Sequence, residues 1–456
     1  MHRSPQLPIL FLRSGLAFCV LLAWGCDPMT DPPTDTTGAQ PAKAATGPSV
    51  TSVNPSYGHP ADALVTVRVL GAGYDQGSAA SWERDGVADA KITVHETRFV
   101  SSGELSATIS IAADATIDLY DVAVTTSTRK KGIGMERFEV TAAQSIGTLG
   151  GNTLSRSIND LGQVVGYSMA GSSQRAFFWR PGGPMDNLGS GQAYDVDQSG
   201  TVVVGISSPG GVVWRFDGAG WTSSALPNAA GARPAGIAQI GDILRIVGSS
   251  KVSTARKAPD QATTWSLLGG EWTLQLLPNP AGYASSGAED VSPTGHIVGS
   301  APNGSLPRTA VLWTPDRTPV ILPPRPGDVT SFAFGINPSA TLVAGVSGGR
   351  AVVWKQDGTG AWTPRLLEAC GDAQAVNDAG MVVGQKCDGG AWMWQLDENG
   401  TVISQRRLPG LGSATDPRAV EGINNTLTPA AAGKAKSTAS PADVGVIWDL
   451  AGLTTH

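Results

Sequence analysis

Charge is scarce in this chain, and so are the side chains from which enzymes build sites. Only 15% of its residues are Asp, Glu, Lys or Arg, and five are histidine. The formal charge of −6 speaks against nucleic acid as a partner. His2, His59, His95, His296 and His456 are scattered, and none stands beside a second candidate ligand, as a metal site would require. His296 reads as a surface residue of a turn. No Gly-x-Ser-x-Gly nucleophile elbow, phosphate loop or His-Glu-x-x-His motif is expected. The reading is therefore of a protein without a catalytic constellation, cofactor or metal.

Long apolar runs are also missing. The longest near the start, Gly15 to Trp24, is too short for a membrane span and follows His2, Arg3 and Arg13, the pattern of a secretory leader over residues 1–25. Losing that leader, which carries two arginines and no acid, takes the remainder from −6 to −8. Four cysteines are present, and Cys19 leaves with the leader. Cys370 and Cys387 flank the turn Asn377-Asp378-Ala379-Gly380 symmetrically, so they should face each other across one hairpin, and export favours a disulfide between them.

Glycine, proline and tryptophan are plentiful, at 58, 31 and 13 residues, which favours many short strands joined by tight turns. Residues 26–47 are Pro, Thr, Asp, Gly and Ala without apolar periodicity, a flexible tether. From 48 to 141, segments such as Leu64 to Val69, Leu105 to Ile111 and Tyr120 to Thr125 alternate with period two, as strands of a β-sandwich do.

From 142 to 456 one unit recurs. Ile158-Asn159-Asp160-Leu161-Gly162-Gln163-Val164-Val165-Gly166 leads to Ala176-Phe177-Phe178-Trp179, and Val376 to Gly384 leads to Ala391 to Trp394. The second-strand glycines are Gly166, Gly205, Gly248, Gly299, Gly345, Gly384 and, more weakly, Gly433. The third-strand tryptophans are Trp179, Trp214, Trp265, Trp313, Trp354, Trp394 and Trp448. A spacing of roughly 40 to 50 residues suits a four-stranded propeller blade. Asn or Asp first and Gly fourth is the chemistry of a type I turn with a glycine bulge. Tryptophan in all copies would fill the wedge between diverging blades, and the Leu-Pro pairs at 226–227 and 277–278 close fourth strands. Ser145 to Gly151 looks like a fourth strand without its first three, so the two ends of the region should share a blade.

Three resemblances sharpen this. Leu22-Ala23-Trp24-Gly25-Cys26 resembles a bacterial lipoprotein signal, which implies lipid on Cys26 and a membrane anchor without a span. Pro48 to Gly58, Val65 to Tyr74 and Leu119 to Val124 resemble the IPT/TIG immunoglobulin-like domains, which act mostly as spacers or modest binding modules. Gly147-Thr148-Leu149-Gly150-Gly151, Ile158 to Gly166 and Ala176 to Trp179 resemble the bacterial extracellular HAF-repeat (Kelch-like) family. The expectation is an all-β chain: an N-terminal Ig-like β-sandwich, then a C-terminal β-propeller of seven blades with N/C-terminal strand closure.

Asp195 to Gly200 spells the front half of a calcium loop. Its twelfth position is Ile206, and other copies put Ser157, Asp290, Gly335, Ala375 and Gly422 where Asp195 stands, so a shared turn accounts for it better. The expected function is binding or adhesion by an exported, membrane-anchored or secreted monomer of the bacterial envelope, with a surface glycan or protein as partner. Rivals are a glycan lyase or hydrolase with carboxylates at the propeller mouth, and a passive structural component. Asp160, Asp197 and Asp378 sit in turns where a structural role suffices. A specific site is expected where the copies disagree: Lys251 to Gln261, Ala301 to Arg308, or the disulfide-bearing sixth copy.

Overall fold

A computed structural model describes residues 47–456 apart from 228–230, 254–257, 303–306, 412–418, 437–441, 451–452 and 454–456. The leader, Cys26 and the tether up to residue 46 lie outside the described residues. The described residues form strands and no α-helix.

Residues 49–140 fold as two facing sheets. Ser49–Asn54, Val65–Ala72, Glu104–Ile111 and Ile92–Ser101 pair antiparallel in that order. The other sheet runs Tyr57–Gly58, Lys131–Val140, Asp118–Thr125, Ala79–Arg84 and Val87–Ala88. Strand Glu104–Ile111 alternates faithfully, with Leu105, Ala107, Ile109 and Ile111 buried between the sheets and their neighbours outside. Trp82 meets Phe138 edge-on at 5.7 Å in that core. Side chains of this size each contribute about 1.5–3 kcal/mol on burial.

Seven four-stranded antiparallel sheets follow, together a β-propeller scaffold. The first comprises Thr153–Ile158, Val164–Ala170, Ser173–Trp179 and Met185–Ser190. The first strands of the others are Gln192–Val196, Arg233–Ile240, Gly287–Val291, Ser331–Ile336, Gly371–Val376 and Ala419–Ile423. Each first strand touches the next, and the seventh touches the first, so they line a closed ring. Ala143–Gly147 pairs with Asp443–Asp449 as outermost strand of the seventh sheet, which leaves that ring without a gap.

The third-strand tryptophans explain how neighbouring sheets hold together. All seven are buried. The indole N–H of Trp265, Trp313, Trp354 and Trp448 donates to the carbonyl of Pro227, Pro278, Pro323 and Pro409, each at the end of the preceding sheet, at 2.7–3.0 Å. Trp214 donates to Leu188 O in the same direction. The fourth-strand Leu-Pro is therefore an acceptor for the next sheet, and the leucine (Leu226, Leu277, Leu322, Leu408) is buried beside it. Trp394 departs from this. Its Nε1 has no partner among the described residues, because the fifth sheet ends in Glu368 and runs straight into Cys370.

The sandwich contacts the ring where it closes. Thr141 Oγ1 donates to Gly410 O (2.8 Å), Gly410 N to Glu139 Oε1 (2.9 Å) and Arg406 Nη2 to Ile117 O (2.8 Å). Tyr57 and Ile117 pack on the apolar cluster of the seventh sheet.

Candidate functional site

The repeated glycine of the second strand makes the channel site possible. A Cβ on Gly166, Gly205, Gly248, Gly299, Gly345, Gly384 or Gly433 would lie 2.0–2.1 Å from a carbonyl oxygen of the adjoining first strand. Only glycine admits that approach. Immediately after the residue that faces each glycine, the pairing slips by one, a β-bulge in every first strand. The seven extra residues are Arg156, Tyr194, Ala235, Glu289, Phe334, Gln374 and Glu421. All seven line one central cavity of about 380 Å³. The glycine is invariant across the copies, and the residue it ejects is not.

Charge in this cavity is unevenly matched. Arg156 Nη1 lies 3.8 Å from Glu421 Oε2, and its guanidinium sits over the rings of Tyr194 (5.4 Å) and Tyr167 (5.9 Å). Its Nε has no partner among the described residues. Burial raises Glu421, with Asp372 adding to the rise and Arg156 opposing it. Glu289 is pushed up to about 7 by burial, against the pull of Arg308 and Arg156. No hydrogen bond or ion pair engages its carboxylate among the described residues.

Two further acids lie one residue beyond the ejected ones and reach sideways. Asp195 Oδ1 accepts from Ser157 Oγ (2.5 Å) and Val196 N (2.9 Å), while Oδ2 accepts from Ile237 N on the next sheet (2.8 Å). Asp290 accepts from Val291 N (2.7 Å) and, across the next seam, from Ile336 N (2.9 Å). Protein surrounds both, although each retains an edge on the channel. Burial raises Asp195 to about 7, helped by the charge of Asp290, and raises Asp290 to about 6, helped by Glu289.

The residues singled out from sequence fall as follows. The glycines and tryptophans of the repeat are scaffold positions around the channel. Cys370 and Cys387 are joined, with Cα atoms 5.5 Å apart across the Gly371–Val376/Met381–Lys386 hairpin. Cys26 lies outside the described residues, as do 254–257 and 303–306, the centres of two of the three stretches where a site was expected. Asp197, from the calcium-like segment, turns its Oδ1 onto Thr201 N and Val202 N (2.9 and 2.7 Å) and so closes its own turn. His296 is half-buried beside the turn; burial lowers its pKa, and its Nδ1 lies 2.9 Å from Thr294 Oγ1. One correction concerns the nucleophile elbow: Gly345-Val346-Ser347-Gly348-Gly349 does spell it. Ser347 is fully buried, donates to Asp328 Oδ2 (2.8 Å), accepts from Arg325 N (2.9 Å) and leads into a strand, not a helix, so it is no exposed nucleophile.

Reading the acids as turn residues held for Asp160, whose carboxylate accepts from Asn425 N, and for Asp378, which accepts from Ser339 N. It missed Glu289 and Glu421, and it weighed Asp195 and Asp290 only as positions of a calcium-like segment. A partial signal existed: in the aligned copies, the place just before the Ser157/Asp195/Gly335 column holds six residue types in seven copies, although the place before it is mostly alanine or another small residue.

No family model matches the chain, and no curated protein matches it. Solved structures similar to it include a chain of a mitotic checkpoint complex (11% identity, 67% of this chain and 93% of that one, TM-score 0.44). Others are the Pyrococcus horikoshii acylaminoacyl peptidase (11%, 66% and 51%, TM-score 0.44) and AztD from Citrobacter koseri (11%, 77% and 94%, TM-score 0.32). At these identities and scores the likeness carries no argument about this chain's chemistry.

Proposed function

We propose that this chain is an exported binding protein of the bacterial cell envelope, anchored by lipid on Cys26. A seven-bladed β-propeller of HAF (Kelch-like) repeats holds its ligand in the central channel, and an IPT/TIG-type immunoglobulin-like domain (48–141) acts as the spacer. One observation carries the reading. Seven glycines that do not vary aim seven side chains of six different types at one cavity. A scaffold without a ligand has no need of that contrast. The partner is a surface glycan or protein, and the protein works as a monomer.

The test is a glycan and envelope-protein binding screen on the full chain, beside Ala235→Trp, which fills the smallest place in the ring. Binding lost in Ala235→Trp supports the channel; binding kept in full places the ligand elsewhere. Screens empty for both favour a passive structural component. Lipid-precursor labelling equal in wild type and Cys26→Ser would sink the anchor.

A second reading has its own support: Glu289 and Glu421 converge on one cavity, both with raised pKa, as acid–base catalysis of glycan cleavage requires. It expects new reducing ends or unsaturated products from a polysaccharide panel, abolished by Glu289→Gln. A panel left intact by the wild type excludes it.

A further inference from the structure

Five carboxylates line the cavity, and four have partners: Asp160 accepts from Asn425 N. Asp195 and Asp290 accept backbone N–H groups across the seams, and Glu421 has Arg156. Glu289 alone among these five has neither hydrogen bond nor ion pair among the described residues. Its surroundings are asymmetric. On one side the ring place is Ala235, a gap beyond which stands Tyr194, near enough for Glu289 to affect its ionisation. On the other side is Phe334, whose ring lies 4.5 Å from that of Phe332.

We infer that the channel binds the alkylammonium group of its ligand, with the Glu289 carboxylate as counter-charge and the Tyr194 and Phe334 rings as flanks. This rests on the channel being the binding site and names what it recognises. A quaternary or primary ammonium satisfies a carboxylate and aromatic faces together. An anion meets the wrong sign at Glu289, Asp290 and Glu421. A neutral hydroxylated ligand donates a hydrogen bond to the carboxylate but brings no counter-charge. The ammonium could belong to a free choline-like amine or to an amino sugar on a glycan chain; the recognising chemistry is the same.

The charged groups that line the cavity with Glu289 are Asp160, Asp195, Asp290, Glu421 and Arg156; Arg156 and Arg308 favour its charge without reaching ion-pair distance. Tyr194 stays neutral, since burial raises it. With Glu289 titrating near 7, a permanent cation must displace its proton at lower pH. Affinity for choline, whose charge does not change with pH, should therefore rise about tenfold between pH 6 and pH 8.

The experiment is calorimetric titration of the full chain with choline and with its neutral isostere 3,3-dimethyl-1-butanol, at pH 6, 7 and 8. Chitosan oligomers and their N-acetylated counterparts are run in parallel. Expected are binding of choline or of the free-amine oligomer over its neutral partner by tenfold or more, and loss of that preference in Glu289→Gln. Which of the two cations binds better distinguishes the free from the glycan-borne source. Unchanged melting of Glu289→Gln, with exposed Glu398→Gln as a control that keeps wild-type affinity, separates loss of binding from loss of fold. Equal binding of cation and neutral partner, or a preference that survives Glu289→Gln, overturns the ammonium inference and leaves the channel reading standing. No binding of either cation also overturns it; the Ala235→Trp comparison then decides the channel reading separately.

Discussion

Replacing Gly299 with alanine tests the link between scaffold and site. The new methyl carbon would be built 2.1 Å from Gly287 O, 2.9 Å from Ala288 Cα and 3.0 Å from Gly287 C. A carbon and a carbonyl oxygen tolerate about 3.2 Å, so the first strand must retreat by roughly 1 Å, and all three obstructing atoms are backbone held in a ladder. Retreat is hindered, because that strand also touches the inner strands of the third and fifth sheets. Overpacking of this kind costs about 1–3 kcal/mol, and with no flexible side chain to yield the upper end applies, roughly 3 kcal/mol. Equilibrium urea unfolding reads the loss as a lowered midpoint at unchanged slope. Gly358→Ala is the control, since nothing lies within 4 Å of its Cβ position, and it should stay within about 0.5 kcal/mol of wild type. If the bulge depends on Gly299, then Gly299→Ala also withdraws Glu289 from the channel, and the pH dependence of choline affinity flattens. A Gly299→Ala protein as stable as the control would refute the argument that these glycines exist for close approach.

Three further perturbations follow from the same geometry. Asp195 titrates at about 7 when folded against an ordinary 3.8, so the native state binds the extra proton between those values; the stabilisation is full below about pH 4 and is lost as pH rises through 7. On the order of 2 to 4 kcal/mol is at stake, with Glu289 and Asp290 acting in the same direction and half-buried His296 weakly against, so the urea midpoint should rise from pH 8 to pH 5, and a midpoint that falls steadily over that range contradicts the assignment. Trp313→Phe loses a 2.8 Å hydrogen bond to Pro278 O and leaves that carbonyl bare, whereas Trp394 has no such bond; Trp313→Phe should cost about 1 kcal/mol more than Trp394→Phe, and equal costs would deny the indole–proline link its role. Opening the Cys370–Cys387 bond, 17 residues apart, by a Cys370→Ser, Cys387→Ser double variant should remove about 3 kcal/mol of stability, and a protein indifferent to reductant would show that the hairpin stands on its ladder alone.

What the sequence discloses depends on whether a feature repeats. The Val-Val-Gly and small-x-x-Trp strings mark second and third strands because every copy obeys the same two constraints, a backbone contact at the glycine and a wedge at the indole. Even Ala262 to Trp265, with threonines in the middle, forms a third strand, since Thr263 is satisfied by Ser250 Oγ (2.8 Å) and the Gln261 carbonyl. In the sandwich, Leu105 to Ile111 is plain from alternation, but Ala79–Arg84 and Ile92–Ser101 are not. The first is buried at Trp82 and Glu83 in succession, and the second slips register between Val94 and Glu96 and again between Phe99 and Ser101. A bulge breaks period two, and every channel residue sits on a bulge. The scaffold was therefore legible and the site was not: Arg156, Glu289 and Glu421 belong to a column with six residue types in seven copies, where one copy says little about another.

The acids can nonetheless be sorted by asking how each seam between inner strands is closed. At the turn, Asn159 Nδ2 donates to Asp197 O (3.0 Å), Asn377 Nδ2 to Asn424 O (3.2 Å) and Asn424 Nδ2 to Asn159 O (3.4 Å), while Asn337 Nδ2 reaches Asp378 Oδ1 (2.6 Å). Four of the seven seams are thus bridged by an asparagine amide. In the second and fourth sheets the turn carries Asp197 and Ser292, neither of which has an amide to offer. These are the two sheets in which Asp195 and Asp290 reach across to an N–H of the next sheet instead. The remaining seam, from third to fourth sheet, is closed by contact: a Cβ on Gly236 would stand 3.0 Å from Asp290 Cα and 3.1 Å from Glu289 O. Asp195 and Asp290 therefore replace a missing asparagine, and their presence in the channel needs no ligand to explain it. Glu421 meets Arg156 at 3.8 Å across the seam from the seventh to the first sheet, and Glu289 closes no seam. A buried carboxylate that bridges nothing is costly to the fold, and of these two only Glu421 has an arginine beside it, which leaves Glu289 as the group whose cost a bound cation would offset.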